Sequence, residues 1–178
     1  MSKIKQKYPI LEYDSESAPI IVATSLYDKS RNPRGITRCL FTYFQDVVEK
    51  YENADKINQT FRLRTEGVRP RVYEKQYKMP DGRMEYIYVV PMPLGAPIAA
   101  RMLESMSAVG CNKFMVCGGA GALDDAVTKC DVLIPTCAVR DEGTSYHYLP
   151  PARDVSVNSA VLNSIKHTLD VLAKNTWK

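Results

Sequence analysis

The chain has 178 residues, 45% of them hydrophobic, with a formal net charge of +4, figures that suit one globular domain. No stretch approaches the ~20 apolar residues of a membrane helix, because the longest apolar segment, Tyr86 to Ala100, is broken by Pro91, Pro93 and Pro97. The basic start, Met1 to Lys7, leads into no apolar run of the secretory kind, so a soluble, cytoplasmic chain is expected.

Taken in chain order, the first segment is punctuated by prolines, with a short strand expected at Pro19 to Ala23. Asn32-Pro33 then has the form of a helix opening, and Ile36, Leu40, Tyr43, Phe44, Val47 and Val48 recur at helical spacing. Arg71 to Tyr77 and Met84 to Val90 are rich in Val, Ile and Tyr, with Pro80-Asp81-Gly82 between them. Such a turn supplies the backbone angles of a tight reversal, which predicts a β-hairpin.

Beyond it, Pro97 suits the first turn of a helix, since its missing N–H would have no partner there. Ile98, Met102, Met106 and Val109 share one face, and Gly110 is placed to end that helix in the left-handed conformation. Phe114 to Cys117 is expected to be a buried central strand, running into Gly118-Gly119-Ala120-Gly121-Ala122. Val132 to Pro135 and Cys137 to Arg140 follow as further short strands. A last helix is predicted through Val161, Ile165, Leu169 and Leu172, with Ser156 or Asn158 as its cap. Strands alternating with helices favour an α/β sheet, in which ligands gather beyond the carboxyl ends of strands. No repeat or linker interrupts this pattern, so residues 1–178 are taken as a single domain.

Candidate chemistry falls in two places. The small residues of Gly118 to Gly121 can offer backbone N–H groups to an anion, or can simply allow close packing; the loop is neither a Walker loop nor a dinucleotide fingerprint. The other is Arg140 to Pro150, dense in functional groups. His147 as a base and Ser145 as a nucleophile lack an evident third member, and an internal polar network of Arg140, Asp141 and Glu142 is the better account.

The five cysteines (Cys39, Cys111, Cys117, Cys130 and Cys137) form no CxxC pair and no zinc spacing with His147 or His167. They are expected to be reduced thiols serving as small buried hydrophobes. The positive charge comes partly from Lys29, Arg31, Arg34 and Arg38, and partly from Arg62, Arg64, Arg69 and Arg71. Acidic residues are interspersed elsewhere and no nucleic-acid module is recognisable, so arginines gathered on a small phosphate ligand explain this charge better than nucleic acid does.

Three blocks resemble the purine and uridine phosphorylase family in order and spacing: Gly95-Ala96-Pro97, Cys117-Gly118-Gly119-Ala120-Gly121-Ala122-Leu123, and Ala138 through Tyr148. Asp131-Val132-Leu133-Ile134-Pro135 sits between the last two, and Leu63-Arg64-Thr65-Glu66 is a looser match. The resemblance implies a twisted mixed central sheet flanked by helices, in dimers or hexamers with active sites at subunit interfaces. It implies phosphorolysis of a nucleoside N-glycosidic bond, giving free base and ribose 1-phosphate, with phosphate as co-substrate and no metal or organic cofactor. By the same resemblance Gly118, Gly119 and Ala120 occupy the phosphate and ribose loop, and Arg64 is the arginine lent to phosphate by a neighbouring subunit. Gly95, Arg140, Glu142 and His147 organise the loops; no catalytic residue is assigned.

The chain also departs from that pattern. Val116 stands where many uridine phosphorylases have a phosphate-binding arginine, and Gly119 where they have a threonine. The early Gly-Asp-Pro phosphate loop is absent, Ala23-Thr24-Ser25 being the nearest segment. In the family, sequence beyond a segment resembling Lys174 to Trp177 supplies further sheet, the base pocket and a Glu-Met-Glu ribose motif, whereas this sequence ends at Lys178. The implied domain is therefore C-terminally truncated, and the choice between purine and pyrimidine is not written in it. Val116 makes a water-using nucleosidase the nearest enzymatic alternative, and the missing acids make a non-catalytic binding or assembly subunit the alternative from another class.

Overall fold

The computed structural model describes residues 6–65, 67–128 and 131–176. Glu66, Cys130 and Trp177, which figured in the sequence reading, lie outside the described residues. The chain divides into two compact units, Ser17–Gly119, and Met1–Glu16 together with Ala120–Lys178.

The first unit is built on a mixed sheet of β1 (Arg38–Thr42), β2 (Asn58–Arg62), β3 (Arg71–Lys78), β4 (Met84–Pro91) and β5 (Lys113–Cys117). Its spatial order is β2-β3-β4-β1-β5. The β3-β4 hairpin forms as the sequence predicts, antiparallel from Tyr73 opposite Val89 to Lys78 opposite Met84. Its turn closes through Met79 N–H to Arg83 O at 2.8 Å and Gly82 N–H to Met79 O at 2.9 Å. Gly82 has φ +86°, a conformation that glycine adopts without steric cost.

The segment around Leu40 differs from expectation. In place of a helix from Asn32 through Val48, residues 38–42 form β1, parallel to both β4 and β5, and α1 begins only at Gln45 (Gln45–Asn53). Asn32 does not cap a helix. Its side chain accepts from Ile36 N–H at 2.8 Å and from the Tyr88 hydroxyl at 3.1 Å, and donates to Ile36 O at 2.8 Å. That buried clasp aims the chain into the sheet. A strand lying between two neighbours is covered on both faces, so its centre, Cys39-Leu40-Phe41, is continuously apolar, and with the apolar residues flanking the strand it mimics one side of a helix.

The helices cover opposite faces. α2 (Ala96–Val109) buries Met102, Met106 and Val109 in a core with Tyr27, Ile36, Cys39, Phe41, Leu63, Val72, Tyr88, Val90 and Met92. α1 buries Val48, which joins Ile57, Tyr73 and Val89. Alternation along β3 and β4 explains the split, since Val72 and Tyr73, like Val90 and Val89, point to opposite sides. α2 ends as predicted, with Gly110 left-handed at φ +117°.

β5 is a strand of the sheet, but not a central one: it forms the edge. Phe114 stacks on Phe41 with ring centroids 5.7 Å apart, while Met115 and Val116 are 50% and 61% exposed. The expected strand at Pro19 to Ala23 is also absent, and a 3-10 turn, Ala23–Ser25, is found instead. Pro19 lacks an N–H for a ladder.

In the second unit β6 (Cys137–Val139) pairs antiparallel with β7 (Asp154–Ser156). α3 (Ser159–Thr176) follows, capped by the Asn158 side chain, which accepts from Ala160 N–H at 3.0 Å and Val161 N–H at 3.2 Å. Residues 132–135 form no strand; Pro135 ends that run, and Val132 and Leu133 are exposed. The thiols split as well. Cys39 and Cys111 are buried, as expected, but Cys117 is half-buried and Cys137 exposed.

Candidate phosphate-loop site

The site follows from strand direction. β2 is antiparallel to β3 and β3 to β4, while β4, β1 and β5 are parallel. Four strands, β2, β4, β1 and β5, therefore end at one edge of the sheet. Thr42 lies opposite both Pro91 and Cys117 at that edge, and Arg62 faces Arg71. The chain leaving β1 enters α1 on one face, whereas the chain leaving β4 enters α2 on the other. Adjacent parallel strands whose connections part in this way leave a crevice between them, the usual ligand position in open α/β sheets.

Three connections meet around the crevice. Tyr43 N–H donates to Cys117 O at 3.0 Å, Met92 N–H to Thr42 O at 2.8 Å, and Gln45 Nε2 to Met92 O at 3.2 Å. Phe44, at 43% exposure, and Leu94, at 88%, are large apolar side chains left exposed on these connections. Gly95 has φ +122°, strained for any residue with a side chain, and its carbonyl accepts from Ala99 N–H at 3.0 Å in the first turn of α2.

The two readings of the glycine loop separate residue by residue. A Cβ on Gly118 would stand 3.0 Å from Tyr43 Cδ2 and 3.3 Å from Tyr43 Cβ, so this glycine is needed for close packing. Gly119 and Gly121 have nothing within 4 Å, and residues 118–120 are all exposed. At Gly119, the last residue of the first unit, packing does not require a glycine.

Arg64 follows β2 at the same edge. Its N–H donates to the Tyr27 hydroxyl at 2.5 Å, and its carbonyl accepts from Tyr27 at 3.3 Å and from Arg101 Nη2 at 3.3 Å. The backbone is held and the side chain is exposed. Yet β2 and β5 lie four strand positions apart, roughly 19 Å at about 4.8 Å per strand. Within one chain Arg64 and the Gly118 loop therefore stand at opposite ends of the strand order.

In the second unit the Arg140 loop is a closed network. Arg140, 5% exposed, donates from Nε to Ser145 Oγ at 2.9 Å, and from its two terminal nitrogens to Pro150 O at 2.6 Å and Leu149 O at 3.1 Å. It also lies 4.5 Å over the Tyr146 ring, whose hydroxyl donates to Arg140 O at 3.1 Å. Glu142 accepts from Thr144 N–H at 2.8 Å, from Ser145 N–H at 3.1 Å, and from the Ser145 hydroxyl. These bonds, led by that of the Ser145 side chain, hold its carboxyl below the usual range. Ser145 is thus engaged by Arg140 and Glu142, not by His147, which is exposed at the end of a 3-10 turn, Thr144–His147. With its donors used internally, Arg140 is a strut.

Two hollows lie elsewhere. One of about 380 Å³ runs between Ile21, Val22, Leu103 and Ser107; another of about 590 Å³ borders Arg140, Asp141 and Arg153. Neither includes the glycine loop or Arg64, and the first brings together only one charged group, Glu104. Among the described residues no three His, Cys, Asp or Glu side chains are arranged to hold a metal.

A family model described as the phosphorylase superfamily matches residues 44–177. The chain belongs to that superfamily. It is a homologue of nucleoside phosphorylases: a uridine phosphorylase of Thermococcus kodakarensis is 29% identical over 98 residues, 52% of this chain and 35% of that protein. A guanosine phosphorylase of Halorubrum lacusprofundi is 40% identical over 55 residues, 31% of this chain and 23% of that one. Among solved structures, uridine phosphorylase from Vibrio fischeri ES114 complexed with 6-hydroxy-1-naphthoic acid superposes with a TM-score of 0.62 at 24% identity, over 83% of this chain and 59% of that one. The match therefore spans about a third or less of the curated relatives and under two thirds of the solved structure. The superfamily fold accounts for the mixed sheet and its flanking helices.

The sequence reading missed Tyr27 and Tyr43, which hold Arg64 and Gly118 in place. Neither carries a local signal, since Tyr27 acts across 37 residues and Tyr43 lies 75 positions before the glycine it covers.

Proposed function

We propose that this chain forms part of a nucleoside phosphorylase, in which phosphate attacks C1′ of a nucleoside, the bond to the base breaks, and ribose 1-phosphate and free base leave. The observation that carries this reading is the common edge of β2, β4, β1 and β5, which brings the open Gly119 backbone and Arg64 to the same side of the sheet. Gly118, Gly119 and Ala120 are assigned to the phosphate and ribose loop. Arg64 comes from a neighbouring copy, so the active protein is a homo-oligomer. An arginine fork suits phosphate geometry better than lysine. The nucleophile is an anion and the sugar becomes oxocarbenium-like, so the requirement is fixed donors around phosphate; neither metal nor organic cofactor has a part in it.

The compartment assigned is the cytoplasm, in keeping with the free thiols Cys39, Cys111, Cys117 and Cys137. Among the described residues, no helix is long and apolar enough to cross a membrane. The test is incubation with inosine, adenosine and uridine, with and without phosphate, following base and ribose 1-phosphate. Phosphate-dependent release, lost in Arg64→Ala, supports phosphorolysis. Equal release without phosphate supports hydrolysis, and phosphate binding without release supports a binding subunit.

A further inference from the structure

Four arginines of the first unit are held by carboxylates. Arg34, Arg71 and Arg83 hold carboxylates at 2.9, 2.7 and 2.7 Å (Glu74, Glu52 and Asp81), and Arg38 is paired with Glu85. Around Tyr27 stand three others, Arg31, Arg64 and Arg101, that hold no carboxylate among the described residues. Arg31 lies 5.6 Å over the Tyr27 ring, Tyr27 clasps the Arg64 backbone, and Arg101 Nη2 reaches Arg64 O at 3.3 Å. All three are exposed.

Like charges repel, and Asp28, whose carboxyl Arg31 helps to hold low, lies beside only one of the three, so a bound anion would relieve the repulsion between Arg64 and Arg101. Tyr27 is 3% exposed and part of the core, and Arg101 rises from α2, a rigid element packed on that core. The cluster is therefore positioned by folding, before any ligand arrives. We propose that Arg101 is a second anion-binding arginine, presented beside Arg64 to the phosphate held at Gly118–Ala120 of a neighbouring copy.

This rests on the assignment of Arg64 to a site in trans. It also gives a physical answer to Val116, which stands where many uridine phosphorylases carry a phosphate-binding arginine. Val116 is 61% exposed on the edge strand and brings no charge. A second guanidinium arriving with Arg64 restores it from the other side.

The test is titration of inorganic phosphate into the full chain and its variants Arg64→Ala, Arg101→Ala, Arg101→Lys and Arg101→Glu, with sedimentation run in parallel. Arg101→Ala should weaken phosphate binding about tenfold, the scale of a lost charge-assisted contact. Arg101→Lys should keep part of the affinity and Arg101→Glu should abolish it, all with the oligomer intact. Wild-type affinity in Arg101→Ala, together with a loss in Arg64→Ala, would overturn the role of Arg101 and leave the site assignment standing. Unchanged binding in Arg64→Ala, or no phosphate binding by the wild type, would overturn both. A loss in Arg101→Ala that disappears at higher chain concentration would also overturn it, because Arg101 would then be holding an interface.

Discussion

The Tyr27 hydroxyl accepts the Arg64 N–H at 2.5 Å and faces the Arg64 carbonyl at 3.3 Å, joining positions 37 residues apart. A core aromatic thus sets the backbone of a surface arginine. The ring belongs to the interior, where Leu63 is fully buried beside it, so the last buried residue of the segment is followed at once by a charged one. Tyr27→Phe keeps the ring and removes the clasp. Stability should fall by about 1 kcal/mol, the net worth of a typical hydrogen bond, measured as a lower urea midpoint at unchanged slope. Phosphate affinity should fall too, but less than in Arg64→Ala, because the guanidinium is still present.

Gly118 and Gly119 should respond oppositely to the same change. The Cβ of Gly118→Ala would meet Tyr43 Cδ2 at 3.0 Å, and overpacking of this kind costs about 1–3 kcal/mol. Gly119 has open space and no positive φ, so Gly119→Ala should fold with near wild-type stability and lose phosphate affinity by crowding the open backbone. Thermal unfolding and phosphate titration of the two variants separate a packing glycine from a ligand-facing one.

How much of this was legible in the sequence depended on distance. The hairpin turn at Pro80-Asp81-Gly82 and the ends of α2 at Pro97 and Gly110 are written in adjacent residues and came out as read. β1 was mistaken because Leu40 and Phe41 are apolar on both faces of the sheet, and the residues flanking the strand completed a false helical period. The edge position of β5 depends on which strands lie beside it, which Phe114 to Cys117 does not encode. The glycine loop was legible as a place, through its three ordered blocks. The resemblance also carried the expectation that Arg64 comes from a neighbouring copy, and the order β2-β3-β4-β1-β5 adds to it the wide spacing of Arg64 and Gly118 within one chain.

The buried clasp at Asn32 predicts an alkaline limit. Burial, followed by the nearby Cys111 thiol, pushes the Tyr88 hydroxyl up to about 12 from an unfolded value near ~10. A raised folded value means the contribution is full below about pH 10 and is lost as pH rises toward 12. Tyr88→Phe should flatten the stability decline between those values while lowering stability at neutral pH, since Asn32 Oδ1 loses a donor at 3.1 Å. Urea midpoints across pH 8 to ~11.5 would check both signs.

Glu142 predicts the acid counterpart. Its carboxyl is held down, first by the Ser145 side chain and then by backbone N–H groups of the same turn. A depressed value gives stability that is present above the ordinary carboxylate range and lost as pH falls through the folded value. Amide exchange at Thr144 and Ser145, whose N–H groups it accepts at 2.8 and 3.1 Å, should therefore quicken in acid relative to the rest of the second unit. In Glu142→Gln the protection should be weaker at neutral pH and should no longer respond to acid.

The sheet order yields the sharpest prediction about assembly. If Arg64 and the Gly118–Ala120 loop of one chain lie too far apart to share a ligand, each phosphate site needs two copies. A chain carrying Arg64→Ala keeps a good loop but lends no arginine; one carrying Gly119→Val lends its arginine but blocks its own loop. Each alone should bind phosphate weakly. Mixed under conditions that exchange subunits, they should form species in which the loop of the first meets Arg64 of the second, and near wild-type affinity should return for part of the sites. In a two-copy assembly made at random from equal amounts, roughly a quarter of all sites should recover by simple pairing statistics, the gain depending on exchange as a linkage effect does. Recovery should rise with the time allowed for exchange and vanish if the assemblies are cross-linked before mixing. No recovery, with exchange verified by mass spectrometry, would mean that Arg64 does not act across an interface.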